Sequence, residues 1–457
     1  MDERLKAPRD SGGIREVIGI ALPLVLATSG HAIRLFSDRI MLSRFSADAI
    51  KASVPAGLTS FTLTCFFLGV AGYTNTFVAQ YAGADRKDRV GQAVWQGIFL
   101  ALIGGALVAL SVFWATSIFR WFGHELSVQA EEVRYYSILS LFSAFPLLNA
   151  ALESFWSGRG KTYVIMGLEL GMAALNVLLN YLLIFGHGGL PRMGIAGAGL
   201  ATGLSALAGT VACLVFFLSR ANRAIFQTWP GRLFDADLFR RLVRYGFPGG
   251  VQFFLDLASF NLVVNLLARM GPLENEASNI AFSINAIAFH PMIGIGMTVG
   301  ILVGQAVGAR DIPHAKRSVR SARAIVLSYM AVMAVGFLFF PHIFLWLFTR
   351  PGDASQVETF HVARVYLRYV ASFLLFDGLF IVYSSAIKGA GDTRFAMWIC
   401  LAITWGLFAI PSYIVWLLQG TAGQVWIILV FSASMNGIVF YWRYRAGQWQ
   451  RMRVIEA

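Results

Sequence analysis

Charge is scarce in this chain: Asp, Glu, Lys and Arg together make 13% of 457 residues, against about a quarter in soluble domains. That is too little to clothe a globular surface in water, so a soluble enzyme is excluded. Cysteine is scarcer still. Cys65, Cys213 and Cys400 stand alone in apolar runs, which supplies neither a disulfide framework nor a zinc-ligand spacing. They read as small buried hydrophobes. No His-Glu-x-x-His and no Gly-x-Ser-x-Gly occurs. Gly160-Lys161-Thr162 has the end of a phosphate loop, but Phe155 stands where its leading glycine belongs. The chain is therefore not expected to be an enzyme or to carry a cofactor, and any work it does should draw on an ion gradient.

What is abundant is apolar: hydrophobic residues make 57% of the chain. About 20 such residues in a helix cross a bilayer core. Runs at roughly 15–43, 53–81, 93–119, 134–156, 163–186, 194–218, 243–269, 278–305, 321–347, 362–388, 395–418 and 424–442 predict twelve spans. Transmembrane strands alternate over about ten residues, and these runs are far longer. The fold class expected is an all-α membrane protein. Met1 to Arg15 is polar and mixed in charge, so the first helix is expected to be retained rather than cleaved as a leader.

The net charge of +13 resolves by position. On one side of the predicted spans lie Arg4, Lys6, Arg9 and Arg15, the cluster Arg86, Lys87 and Arg89, and later Arg443, Arg445, Arg451 and Arg453. That side holds 25 of the 37 basic residues, and the other holds 6, among them Arg44, Arg120 and Arg350. Cytoplasmic loops are the basic ones, so both termini are expected in the cytoplasm. The charge is topological. Membrane lipid is the expected surroundings, and nucleic acid is not expected as a partner.

The chain also repeats itself. Leu22-Pro23 matches Phe247-Pro248, and Val78-Ala79-Gln80-Tyr81-Ala82-Gly83 returns as Val303-Gly304-Gln305-Ala306-Val307-Gly308, both at an offset of 225. Gly158-Arg159-Gly160-Lys161-Thr162 returns as Gly389-Ala390-Gly391-Asp392-Thr393. Two six-span lobes are expected, residues 1–218 and 243–457, joined by a cytoplasmic linker at 219–242 and related by a pseudo-two-fold along the membrane normal. Asp237 to Tyr245 is expected to form a short basic amphipathic helix. Two such lobes suit alternating access better than a single pore.

Ionisable groups deep in apolar spans are costly and so are candidates for function. Asp256 lies midway between Arg244 and Arg269, and Asp377 lies eleven residues before Lys388. Each is near mid-depth. Tyr366, Phe373, Asp377, Phe380, Ser384 and Lys388 share one helical face, aromatic around one acid and suited to a lipophilic cation. Asp38 has Arg34 four residues before it, at the spacing of a helical ion pair. His31 and His290 are histidines within spans. Asn176 and Asn180, and the pair Asn75 and Thr76, either tie helices together or line a cavity. Glu153 and Glu169 are expected to pair with Arg159 or Lys161 near the cytoplasmic face.

These landmarks resemble the multidrug and toxic-compound extrusion (MATE) family. The matching segments are Asp38-Arg39-Ile40-Met41, Val78-Ala79-Gln80-Tyr81-x-Gly83, Gly158 to Thr162, Asn176-x-x-x-Asn180-Tyr181, Gly246-Phe247-Pro248, Val303-Gly304-Gln305 and Gly389 to Thr393, in family order. The resemblance implies an antiporter that expels organic cations in exchange for Na⁺ or H⁺. It is NorM-like, with Asn180 where DinF-like members have Asp. It places the acid of span seven at Asp256, that of span ten at Asp377 and that of span one at Asp38. The coupling site is expected in the second half, with Asp256 and Asp377 as the Na⁺ ligands if Na⁺ is used. A monomer in a bacterial inner membrane is expected. A rival within the same superfamily is a lipid-linked saccharide flippase, which would need an Arg-lined groove drawing on Arg34, Arg39, Arg364 and Arg368.

Overall fold

The computed structural model describes residues 12–348 and 356–456. Arg4, Lys6, Arg9 and Arg350, four of the topological charges, lie outside them. Among the described residues, twelve helices are long and apolar enough to cross a membrane. They are α1 Ile14–Phe45, α2 Ala47–Gly83, α3 Lys87–Phe122, α4 Leu126–Ser157, α5 Thr162–Phe185, α6 Ile195–Phe217, α7 Ala236–Met270, α8 Pro272–Gly308, α9 Ile312–Phe339, α10 Gln356–Ala390, α11 Thr393–Leu417 and α12 Ala422–Arg445.

Local chemistry sets many of the boundaries. Ser46 caps α2 by accepting from the backbone N–H groups of Asp48 and Ala49, and Asp311 caps α9 by accepting from that of His314. Thr421 and Gln424 form a reciprocal capping box at the start of α12. Gly186 closes α5 in the left-handed conformation, at φ 77°.

Two expectations need correcting. Asp237 to Tyr245 is helical, but it is the first part of α7 and runs on through Pro248. The helix survives its proline because it is clamped: a Cβ on Gly246 would lie 2.8 Å from the Val70 carbonyl, and one on Gly250 would lie 2.4 Å from that of Phe66. The span expected at 321–347 lies earlier, at Ile312–Phe339. Helix α9 ends at Phe339, and Pro341 opens a separate short helix, Pro341–Leu345.

The chain divides into two compact units. One, here the first unit, contains Leu26–Phe254 with Gly308–Arg310 and the residues from Val454 onward. The second contains the described residues up to Val25, Leu255–Val307 and Asp311–Arg453. The boundaries cut through α1 and α7, so the start of each of these helices packs with the opposite half of the sequence.

The repeated glycine motifs have a shared physical meaning. In the first unit a Cβ on Gly158 would sit 2.6 Å from Val78, and in the second a Cβ on Gly389 would sit 2.5 Å from the Gly300 carbonyl. Each motif's first glycine permits a close helix approach. Its second glycine, Gly160 at φ 74° or Gly391 at φ 119°, makes the left-handed turn into the next span.

Candidate ion and cargo sites

In the first unit, α1, α5 and α6 converge on Asp38, which is 5% exposed. Asn180 Nδ2 donates to Asp38 Oδ1, and the Thr202 hydroxyl donates to Asp38 Oδ2 at 3.1 Å. Asn180 Nδ2 also donates to Asn176 Oδ1 at 3.1 Å, and Asn176 Nδ2 donates to the Thr202 oxygen at 3.4 Å. Asn176 and Asn180 are fully buried. The i,i+4 spacing on α5 places both amides on one face toward the acid. One oxygen is left over: Asn180 Oδ1 is buried and has no hydrogen-bond partner. A buried orphan acceptor beside a carboxylate is unusual and calls for a donor or a cation.

The expected Arg34–Asp38 ion pair does not form. Arg34 Nη1 instead reaches Glu169 Oε2 at 2.8 Å, and its Nη2 lies 3.3 Å from His31 Nδ1. The neutral donors on α5 and α6 already occupy both Asp38 oxygens, and Glu169 offers Arg34 a carboxylate with no competitors in place. Glu169 therefore pairs with neither Arg159 nor Lys161. The Arg159 guanidinium lies 3.7 Å from the Phe155 ring centroid and 4.3 Å from that of Phe226, and burial lowers its pKa to about 10. Asn75 accepts from the Ser157 hydroxyl at 2.8 Å and so ties α2 to α4.

In the second unit, Asp256 and Asp377 stand on α7 and α10, each half-buried. Asp256 Oδ1 accepts from the Thr404 hydroxyl at 3.2 Å, and the neighbouring Trp405 indole donates to the Leu255 carbonyl at 3.2 Å. Thr404 opens a π-helical turn, Thr404–Ala409, inside α11. Such turns are rare, and they cluster at functional sites because they re-aim side chains. Asp377 has no hydrogen-bond partner among the described residues and is partly buried. The aromatic face around it divides. Tyr366 is buried and stacks on Trp426 at 4.9 Å, and Phe373 is buried in the same core. Phe380 is partly buried and meets Phe440 edge-on at 5.1 Å.

Asp38, Asn176 and Asn180 thus come together in one unit, while Asp256 and Asp377 lie in the other. Sequence reasoning missed Thr202 and Thr404. A hydroxyl in an apolar span was the available signal in both cases, but such hydroxyls more often bond to their own helix.

With this geometry in view, comparison with known proteins is informative. The MatE family model matches residues 23–182 and 248–414. A probable multidrug resistance protein NorM from Rhizobium meliloti is 28% identical over 437 residues, covering 94% of this chain and 92% of that protein. The protein of that name from Neisseria meningitidis serogroup B is 27% identical, covering 94% and 93%. Among solved structures, a MOP superfamily transporter from Pyrococcus furiosus matches with a TM-score of 0.85 at 19% identity, covering 96% of this chain and 97% of that one. The outward-facing form of a multidrug resistance MATE family transporter matches with a TM-score of 0.85 at 18% identity over the same shares. At that identity the structural likeness speaks to the fold.

Proposed function

The chain belongs to the MatE family, and from that premise we propose that it is a secondary antiporter exporting lipophilic organic cations in exchange for Na⁺ or H⁺. The observation that carries this reading is the set of intramembrane carboxylates, which come in two kinds. Asp38 is enclosed by oxygen-bearing neutral side chains, with the Asn180 oxygen left over. A proton would neutralise Asp38, and a hard monovalent cation would find several oxygens of the kind it prefers. Asp256 and Asp377 are partly buried, and Asp377 shares α10 with the partly buried ring of Phe380, which suits attraction of a larger cation.

The cycle follows from competition. Ionised Asp256 and Asp377 draw the cargo from the cytoplasmic side. Alternating access then exposes the acids to the outside, and entry of Na⁺ or H⁺ neutralises carboxylates and releases the cargo. A ligand shifts a conformational equilibrium only by its difference in affinity for the two states, so ion and cargo must oppose each other. The basic-residue bias supports cytoplasmic termini, and a bacterial inner membrane fits the relatives. The flippase reading loses one of its four arginines, because Arg34 is committed to Glu169.

The test is ethidium efflux from vesicles carrying the full chain under an imposed Na⁺ gradient, then under a pH gradient. Acceleration by one of them is expected. Efflux indifferent to both would remove the antiport reading.

A further inference from the structure

The Val78-Ala79-Gln80-Tyr81 motif has no part in the proposed cycle, yet it is among the most completely bonded places in the first unit. Both Gln80 and Tyr81 are fully buried. Around them stand Arg86 and Arg89, just after α2, and Arg241 from the start of α7. Together they hold one carboxylate, that of Glu456. Its Oε1 accepts from Arg89 Nε at 3.0 Å and from Arg86 Nη1 at 2.9 Å. Its Oε2 accepts from the Tyr81 hydroxyl at 2.7 Å and from Arg241 Nη1 at 2.6 Å. The backbone is gripped as well: the Val454 N–H donates to Gln80 Oε1 at 2.9 Å, and the Val454 carbonyl accepts from Arg241 at 3.4 Å. Val454 and Ile455 are buried.

Three arginines face Asp235, which takes Arg89 at 3.2 Å, and Asp237, which takes Arg241 at 3.1 Å. Glu456 is the third acid. At the same 225-residue offset the second repeat has Ala306, Asp311, His314 and Glu16 where this corner has Tyr81, Arg86, Arg89 and Arg241. There His314, the counterpart of Arg89, lies 3.3 Å from Glu16 at the start of α1, and Ser321 donates to the Gly12 carbonyl at 2.8 Å. Each corner therefore holds a glutamate that belongs to the opposite half of the sequence.

We propose that Tyr81, Arg86, Arg89 and Arg241 form a carboxylate-binding seat, and that Val454–Glu456 is a latch held in it by charge. The chain passes from the second unit to the first at Arg453–Val454. Any movement drawing Arg453 away from the seat must therefore break four hydrogen bonds to one side chain together. Losing the carboxylate charge should free the segment; losing one donor should loosen it.

The three native cysteines are buried, so a single introduced thiol reports cleanly. Ile455→Cys in the full chain, reconstituted in vesicles, would be treated with a membrane-impermeant maleimide from the exposed side. Slow labelling is expected, rising by about tenfold or more on adding Glu456→Gln and by about threefold on adding Tyr81→Phe, which keeps the ring and removes one donor. Labelling unchanged by both would overturn the seat. During ethidium transport, which rests on the function proposed above, labelling should rise over the resting rate. A flat rate while ethidium moves would overturn the latch and leave a static joint. If ethidium does not move at all, the transport reading fails, and the comparison with Glu456→Gln still decides the seat.

Discussion

Asp38 and Asp377 lie in different units of one chain, on helices of comparable apolarity, and are treated in opposite ways. Asp38 is sealed, with both oxygens occupied by side chains from α5 and α6. Asp377 is partly buried and has no hydrogen-bond partner among the described residues. Asp256 accepts from the Thr404 hydroxyl of α11. A carboxylate enclosed in fixed neutral donors can exchange only something as small as a proton or a bare ion. A carboxylate with no fixed donor on it keeps both oxygens for a ligand that brings its own charge. On the function proposed above, a division of labour between ion and cargo would follow from this difference in enclosure.

The sharpest way to break the comparison is to neutralise both acids of the second unit. Asp256→Asn with Asp377→Asn should lower ethidium efflux by on the order of 100-fold, to the leak rate, because two charge-assisted contacts to the cargo are lost. Retained efflux would move the cargo site elsewhere. Neutralising the enclosed acid should act differently. Asp38→Asn should cut gradient-driven efflux by roughly tenfold while leaving ethidium affinity within about threefold, measured by fluorescence titration. Equal losses of both would dissolve the distinction between the two sites. Asp38→Ala should in addition lower the melting temperature, since leaving the buried donors of Asn180 and Thr202 unpaired costs about 1–3 kcal/mol.

A smaller effect is expected at the π turn. Thr404→Val keeps shape and removes one hydroxyl from Asp256, and it should reduce ethidium affinity by about threefold to tenfold. The smallest effect concerns pH at the cytoplasmic corner. Burial pushes the Glu456 carboxyl up, but the hydrogen bonds from Tyr81 and Arg241 outweigh it and hold its pKa at about 2, below the ordinary 4.5. A depressed pKa stabilises the docked tail above the ordinary value and loses that contribution as pH falls toward about 2. Maleimide labelling of the Ile455→Cys chain should therefore be flat from about pH 5 to 9, after correction for thiolate fraction. A rise across that window would mean that another group holds the tail.

Much of the fold was readable from sequence alone. Apolar runs of some twenty residues must become helices in lipid, because no other open structure satisfies the backbone there. Hence the twelve spans, their approximate ends and the duplication at an offset of 225 residues. The positions of Asp38, Asp256 and Asp377 were legible for the same reason, since an acid in such a run stands out. Their surroundings were not. Arg34 pairs with Glu169, 135 residues away, rather than with Asp38, four away. Tyr366 shares a helical face with Asp377, yet it is stacked into the core on Trp426.

Composition, periodicity and charge bias determined the span count, the helical class and the candidate acids, because those depend on the solvent each residue must meet. The partners of each acid, the continuity of α7 through Pro248 and the docking of Glu456 beside Tyr81 were decided only when distant helices met. Those outcomes depend on which donors reach a given oxygen first, a matter of three-dimensional distance that a linear order of residues does not contain.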